Sequence, residues 1–176
     1  MPATRPHTHL PAQIIWQPAN QTTAPAHIND WLLHPGSLTQ RLRQHGEFTV
    51  LPQHEWQGLP SITEATLLGM AQPQSAQLRE VLLALNGTPV VVARTVLPLT
   101  SLAGANATLG RMANRSLGSE LFEAPAATRD ALWVTQLPTH NPLGPLWGRQ
   151  NRYLKRGAPL LVAEFFLPIF WQQFAN

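Results

Sequence analysis

The stretch LREVLLALNGTPVVVARTVLP, residues 78–98, constrains the fold more than any other part of the chain. Two apolar runs flank Asn86-Gly87, the dipeptide best suited to the two left-handed positions of a type I′ turn. An antiparallel hairpin is therefore expected. With Asn86 and Gly87 at the centre of the turn, Leu85 pairs with Thr88. An unbroken register then sets Arg79 directly opposite Arg94, on one face of the hairpin with Val81, Leu83, Val90 and Val92. Like charges directly opposite destabilise a sheet. Such a pair either binds an anion, splays into solvent or finds internal acids, and these residues alone leave all three open.

A second hairpin lies in WGRQNRYLKRGAPLLVAEFFLP, residues 147–168, with its turn at Arg156-Gly157. Its register places Arg149 opposite Glu164. Glu164 shares a face with Leu160, Val162 and Phe166, while Leu161, Ala163, Phe165 and Leu167 take the other. Both faces are apolar, the pattern of a central strand covered on both sides. An unpaired carboxylate there would be forced to protonate. Arg149 is the candidate partner that keeps it ionised. A buried pair of this kind is either structural, though weak evidence for stability, or part of a functional site.

Shorter signals fill in the rest. Ser37 and Gln40 have capping-box spacing and Gly46 suits a helix terminus, which predicts a helix over Leu38 to His45. INDWLL predicts a short helix capped by Asn29 or Asp30. EFTVL, residues 47–51, reads as a strand, and SITE, residues 61–64, as a second capping box. Residues 100–122 read as helical with a break near Ser116, residues 128–137 as a strand, and residues 138–145 as a loop. Thr128-Arg129-Asp130 suggests a local ion pair and no more. Residues 1–27, rich in Pro, Thr, Ala and Gln, read as a loosely ordered arm, which leaves residues 28–176 as one domain. With no repeat and no alternating βα rhythm, the fold class is α+β, a single domain with helices packed on an antiparallel sheet.

Composition narrows the function. The chain has 176 residues, a net charge of +3 and 12% charged residues. That balance is too slight to argue for nucleic acid, and no basic run exists. Eleven of the twelve basic residues are Arg, the fork suited to carboxylates, with Lys155 the only Lys. Cys is absent, which removes disulfides and thiolate metal sites. The longest apolar run, residues 160–171, is too short to span a bilayer and contains Glu164. No signal peptide is legible, so a cytoplasmic protein without membrane insertion is expected. His7, His9, His27, His34, His45, His54 and His140 show no zincin spacing, and no P-loop, G-x-S-x-G or G-x-G-x-x-G occurs. The six Trp read as core or rim packing.

WLL followed by SLTQRL, then LREVLL, NGTPVVVARTVLP, SLGSELF, TRD, and LWGR with GAPLLVAEFFLP together resemble the bacterial chorismate pyruvate-lyases, from about Trp31 to Pro168. The resemblance implies a chorismate lyase-like fold, an antiparallel sheet with helices closing over a buried ligand pocket. It implies conversion of chorismate to 4-hydroxybenzoate and pyruvate for ubiquinone biosynthesis, without a cofactor or metal, by a monomer. Carried over, Arg79 would bind the ring carboxylate, Glu164 would face the 4-hydroxyl, and Leu117 would line the site. Leu38 stands where the family can have Met. Arg94 would be the further Arg of the site, placed for the leaving carboxylate, so that Arg79, Arg94 and Glu164 form the expected catalytic set. The alternative is a non-catalytic sensor of aromatic carboxylates, because the fold also resembles effector domains of transcription regulators.

Overall fold

The computed structural model describes residues 10–11, 13–112, 115–138 and 145–174. His7, His9, His140 and most of the expected 138–145 loop lie outside the described residues. Seven strands are present among those described: β1 Gln17–Pro18, β2 Phe48–Gly58, β3 Ala76–Leu85, β4 Thr88–Pro98, β5 Thr128–Leu137, β6 Leu146–Lys155 and β7 Ala158–Phe166. They form one sheet in the order β1-β5-β6-β7-β4-β3-β2, with every pairing antiparallel. The helices are short: α1 Ala26–Leu32, α2 Leu38–Arg43, α3 Ile62–Leu67, α4 Leu117–Leu121 and α5 Pro168–Phe174. Tight 3-10 turns occupy Leu99–Leu102 and Gly104–Gly110 where longer helix was expected. Among the described residues, no helix is long and apolar enough to cross a membrane.

Both hairpin turns form as expected. Asn86 and Gly87 have φ of 49° and 78°, and Arg156 and Gly157 have 50° and 78°, the left-handed values of a type I′ turn. The second hairpin keeps its simple register, with Arg149 opposite Glu164. The first does not. Leu85 pairs with Thr88 and Ala84 with Pro89, but Leu83 pairs with Val91, so Val90 is an extra residue in β4. Pro89 has no N–H to give to the ladder, and proline inside a sheet is found at edges or bulges. The Val90 carbonyl instead accepts from the Leu167 amide at 2.9 Å. Beyond the bulge every pairing moves by one residue, and Arg79 faces Thr95 while Arg94 faces Glu80. The expected Arg79–Arg94 pair is therefore corrected, and the two side chains lie on opposite faces of the sheet.

The helices also depart from expectation in places. α1 starts at Ala26 after Pro25, ahead of Asn29 and Asp30. Asn29 braces the preceding turn instead, donating to the Ala24 carbonyl at 2.8 Å. Ser37 caps α2 as predicted, accepting from the Gln40 amide, although the helix ends two residues early at Arg43. The Ser61–Glu64 box on α3 is complete in both directions. β2 runs well past residue 51, to Gly58. Order also begins before residue 27, since Gln17 and Pro18 pair with Val134 and Trp133. Trp16 packs on Phe165 with ring centroids 5.7 Å apart.

The central strands are covered on both faces. α1, α2 and α5 seal one face through Trp31, Leu32, Leu42 and Phe170 against Leu83, Val91 and Phe166. On the other, Leu68 near α3 packs with Leu78, Val96 and Leu161, and Trp16 with Leu82, Val92 and Phe165. β7 sits fourth of the seven strands, which fits its two apolar faces.

Candidate active site

On the α1/α2 face, Glu164 lies between Arg149 on β6 and Ala93 on β4. Two residues further along, Thr95 on β4 lies between Val162 on β7 and Arg79 on β3. Arg79 and Glu164 thus stand two strands and two residues apart, about 12 Å between their backbones from the spacing of a sheet. Ala93 and Thr95 are small, so a pocket remains between the two charges. Leu38 and Thr39 of α2 and Leu117, Gly118 and Leu121 of α4 close it from above. Four of the five sequence-derived candidates, Leu38, Arg79, Leu117 and Glu164, are brought to this one pocket.

The carboxylate is held from one side. Arg149, 1% exposed, donates Nε to Glu164 Oε2 at 2.6 Å. Its Nη1 donates to the carbonyls of Trp31, Leu32 and His34 at the end of α1. Arg79 is 4% exposed and its Nη2 donates to the Arg115 carbonyl at 2.8 Å. Burial pulls the Arg79 pKa below its ordinary value, while Glu55 opposes the shift. Arg129 reaches the same region, donating to the carbonyl of His34 at 3.0 Å. It does not pair with Asp130, which bridges to Arg152 instead, so the expected local ion pair is corrected. Two Arg against one Glu line the pocket, which gives it a net positive charge suited to a carboxylate-bearing ligand.

The cover is latched. Thr39 and Ser116 share a buried hydroxyl–hydroxyl hydrogen bond of 2.6 Å across 77 residues of chain. It ties α2 to the residue that caps α4. Gly118 fits beneath, where an added Cβ would come within 3.0 Å of Thr39 Oγ1.

The chain and its fold have known relatives. The family model for chorismate lyase matches residues 10–175. This chain belongs to the chorismate lyase family. A protein of Alcanivorax borkumensis named probable chorismate pyruvate-lyase is 48% identical over 168 residues, covering 93% of this chain and 82% of its own length. A probable chorismate pyruvate-lyase 2 of Pseudomonas entomophila is 39% identical over 171 residues, covering 92% of each chain. Among solved structures, the effector domain of PhnF from Mycobacterium smegmatis aligns with a TM-score of 0.56 at 18% identity, over 74% of this chain and 88% of that one. The ligand-binding domain of a GntR-family regulator from Bordetella bronchiseptica aligns with 0.53 at 18% identity, over 69% and 85%. These two likenesses concern the fold.

Arg94, the fifth candidate, is elsewhere in this protein. It lies on the opposite face, in a wider cavity of about 210 Å³ lined also by Glu64, Glu80, Gln150 and Trp16. Its Nε donates to Glu64 Oε1 at 2.6 Å and its Nη1 to Glu80 Oε1 at 2.7 Å. Burial opposes the Arg94 charge, but Glu64 and Glu80 outweigh it and raise the pKa. Two carboxylates surround one guanidinium there, a poor setting for an anionic ligand. That cavity is lined by two carboxylates and one Arg, whereas the pocket of Arg79 and Glu164 is lined by two Arg and one carboxylate. Sequence reading also passed over Tyr153, Arg129, Thr39 and Ser116. Period-two alternation from Arg149 along β6 reaches Tyr153 on the same face and could have found it. Nothing local in the sequence brings Thr39 to Ser116.

Proposed function

We propose that this protein is a cytoplasmic lyase converting chorismate to 4-hydroxybenzoate and pyruvate, supplying the aromatic ring for ubiquinone. The observation that carries the reading is the separation of Arg79 and Glu164 on one sheet face, beneath one cover, in a pocket of net positive charge. A ring with a carboxylate at one end and a hydroxyl at the other spans those two groups. Arg79 takes the ring carboxylate as a charge-assisted fork. Glu164 accepts from the 4-hydroxyl through the oxygen that Arg149 leaves open. Leu38 and Leu117 press the ring against Ala93, Thr95 and Val162.

The reaction asks little covalent help. The carbinol hydrogen leaves as a proton, and its electron pair closes the third double bond of the ring. The C–O pair departs with enolpyruvate, which is protonated at its methylene carbon to give pyruvate. Aromatisation drives the step, so the protein contributes one bound conformer and stabilisation of the departing charge. Arg149 fixes one oxygen of Glu164, which leaves the other placed to anchor the hydroxyl.

Purified protein mixed with chorismate should yield 4-hydroxybenzoate and pyruvate in equal amounts by chromatography. Glu164→Gln and Arg79→Ala should each lower kcat/KM by about tenfold or more, the loss expected for a hydrogen bond to a charged group, with unchanged circular dichroism. Binding of 4-hydroxybenzoate with no turnover of chorismate would favour the sensor reading instead.

A further inference from the structure

Tyr153 is the single tyrosine of the chain and is 5% exposed. It lies on β6 opposite Leu160, on the same face as Arg149 and Glu164, and lines the same pocket. Its ring is fixed edge-on against Phe122, with centroids 6.1 Å apart. Around it are Leu97, Leu117, Leu121 and Val162, none of which can receive a hydrogen bond from a phenol. Among the described residues, none accepts from or donates to its hydroxyl. The ring is buried, but its oxygen is not a sealed atom, so it is open to a hydrogen-bonding group that enters beside it.

The other hydroxyls of the pocket are committed. Thr39 and Ser116 bond to each other, and Thr95 donates to the Arg79 carbonyl at 3.4 Å. The proposed ligand has one group still unmet. Once Arg79 holds the ring carboxylate and Glu164 the 4-hydroxyl, the enolpyruvyl ether remains, on the ring carbon next to the hydroxyl. Arg94, the sequence-derived partner for it, is on the far side of the sheet. Tyr153 lies two pairs along the β6–β7 ladder from Asn151–Val162 toward the turn, so its ring flanks the line from Arg79 to Glu164 and does not lie on it. A substituent adjacent to the hydroxyl projects to one side of that line, and in the orientation that turns it this way it meets Tyr153.

We propose that Tyr153 is a further substrate-binding residue, whose hydroxyl donates a hydrogen bond to the enolpyruvyl group of the substrate and makes no such bond to the 4-hydroxybenzoate product. The inference rests on the chorismate lyase reading. Tyr153 keeps its proton throughout: burial first, then the charge of Glu164, push the phenol up to about 12, against the pull of Arg149 and Arg129. It therefore stabilises charge gathering on the departing oxygen and does not itself transfer a proton.

The test is Tyr153→Phe, which keeps the ring and its packing on Phe122. kcat/KM for chorismate should fall about tenfold or more, as for loss of a hydrogen bond to a charged group, while the Kd of 4-hydroxybenzoate stays within twofold. Tyr153→Leu, which removes the ring as well, should show at least the same loss of kcat/KM. Wild-type kcat/KM in Tyr153→Phe overturns the inference, as does an equal loss of product affinity, which would mark a packing role. Failure of the wild-type protein to turn over chorismate would instead overturn the functional reading beneath it.

Discussion

A charge inside this fold is explained by its partners. Glu164 was legible from sequence because a lone acid in an apolar strand has to be paired, and a simple hairpin register named Arg149 as the pair. Glu64 was not, since its partner lies on another element. It is buried beneath Arg94, and its Oε2 also accepts from the Ser61 amide at 2.8 Å. Burial pushes its carboxyl upward, but the hydrogen bond and charge of Arg94, helped by Ser61, win and hold it below its ordinary value of 4.5. A carboxyl depressed in the folded state contributes stability that is fully present above its unfolded value. That contribution drains away as pH falls from about 4.5 through the lower, folded value. The midpoint of urea unfolding should therefore drop steeply with acid below pH 4.5 in the wild type. Glu64→Gln should be less stable at pH 7 and should show a shallower decline over that acid window. Parallel profiles would mean that Glu64 is not the titrating group.

At the scale of elements, the hairpins and their turns were readable because Asn-Gly and Arg-Gly punctuate runs of alternating side chains. The bulge was not counted, although its cause stood in the sequence as Pro89. One extra residue there exchanges an Arg79–Arg94 clash for a Glu80–Arg94 ion pair and turns Arg94 away from the pocket. The cover was less legible still, because α2 and α4 meet through contacts between residues far apart in the chain. α2 and α4 cover a pocket of about 40 Å³, room for a few waters. A ligand passing between them breaks the Thr39–Ser116 bond. Thr39→Val keeps the shape and removes the bond. It should raise the dissociation rate of 4-hydroxybenzoate by about tenfold, the equivalent of 1.4 kcal/mol and in the range expected of a buried hydrogen bond. Stopped-flow displacement measures this directly, and an unchanged rate would show that the latch does not limit opening.

For the molecule as a whole, the sheet is a plate with different chemistry on its two sides. Ala93 and Arg94, Arg149 and Gln150, and Ala163 and Glu164 are neighbours in sequence that point opposite ways. On one side they frame the proposed ligand pocket, and on the other they meet the Arg94 network that pins α3 against β3 and β4. An unbroken hairpin would have set Arg94 beside Arg79 on one face, and it was the family resemblance that then gave Arg94 a part in binding the ligand. The two readings of Arg94 differ in a measurable way. Removing it leaves Glu64 and Glu80 without their shared counter-ion. Breaking a fully buried ion pair costs about 3–5 kcal/mol, and the partial exposure of Arg94 brings this to roughly 2–3 kcal/mol. Arg94→Met should therefore lose stability by that amount in urea unfolding. Its folded fraction should still turn over chorismate within about threefold of the wild type, since a surviving pocket contact would shift rate by less than 1 kcal/mol. Arg79→Ala should do the reverse, with activity lost and the fold kept. A collapse of kcat/KM in Arg94→Met without loss of stability would return Arg94 to the site and require the first hairpin to change register when substrate binds.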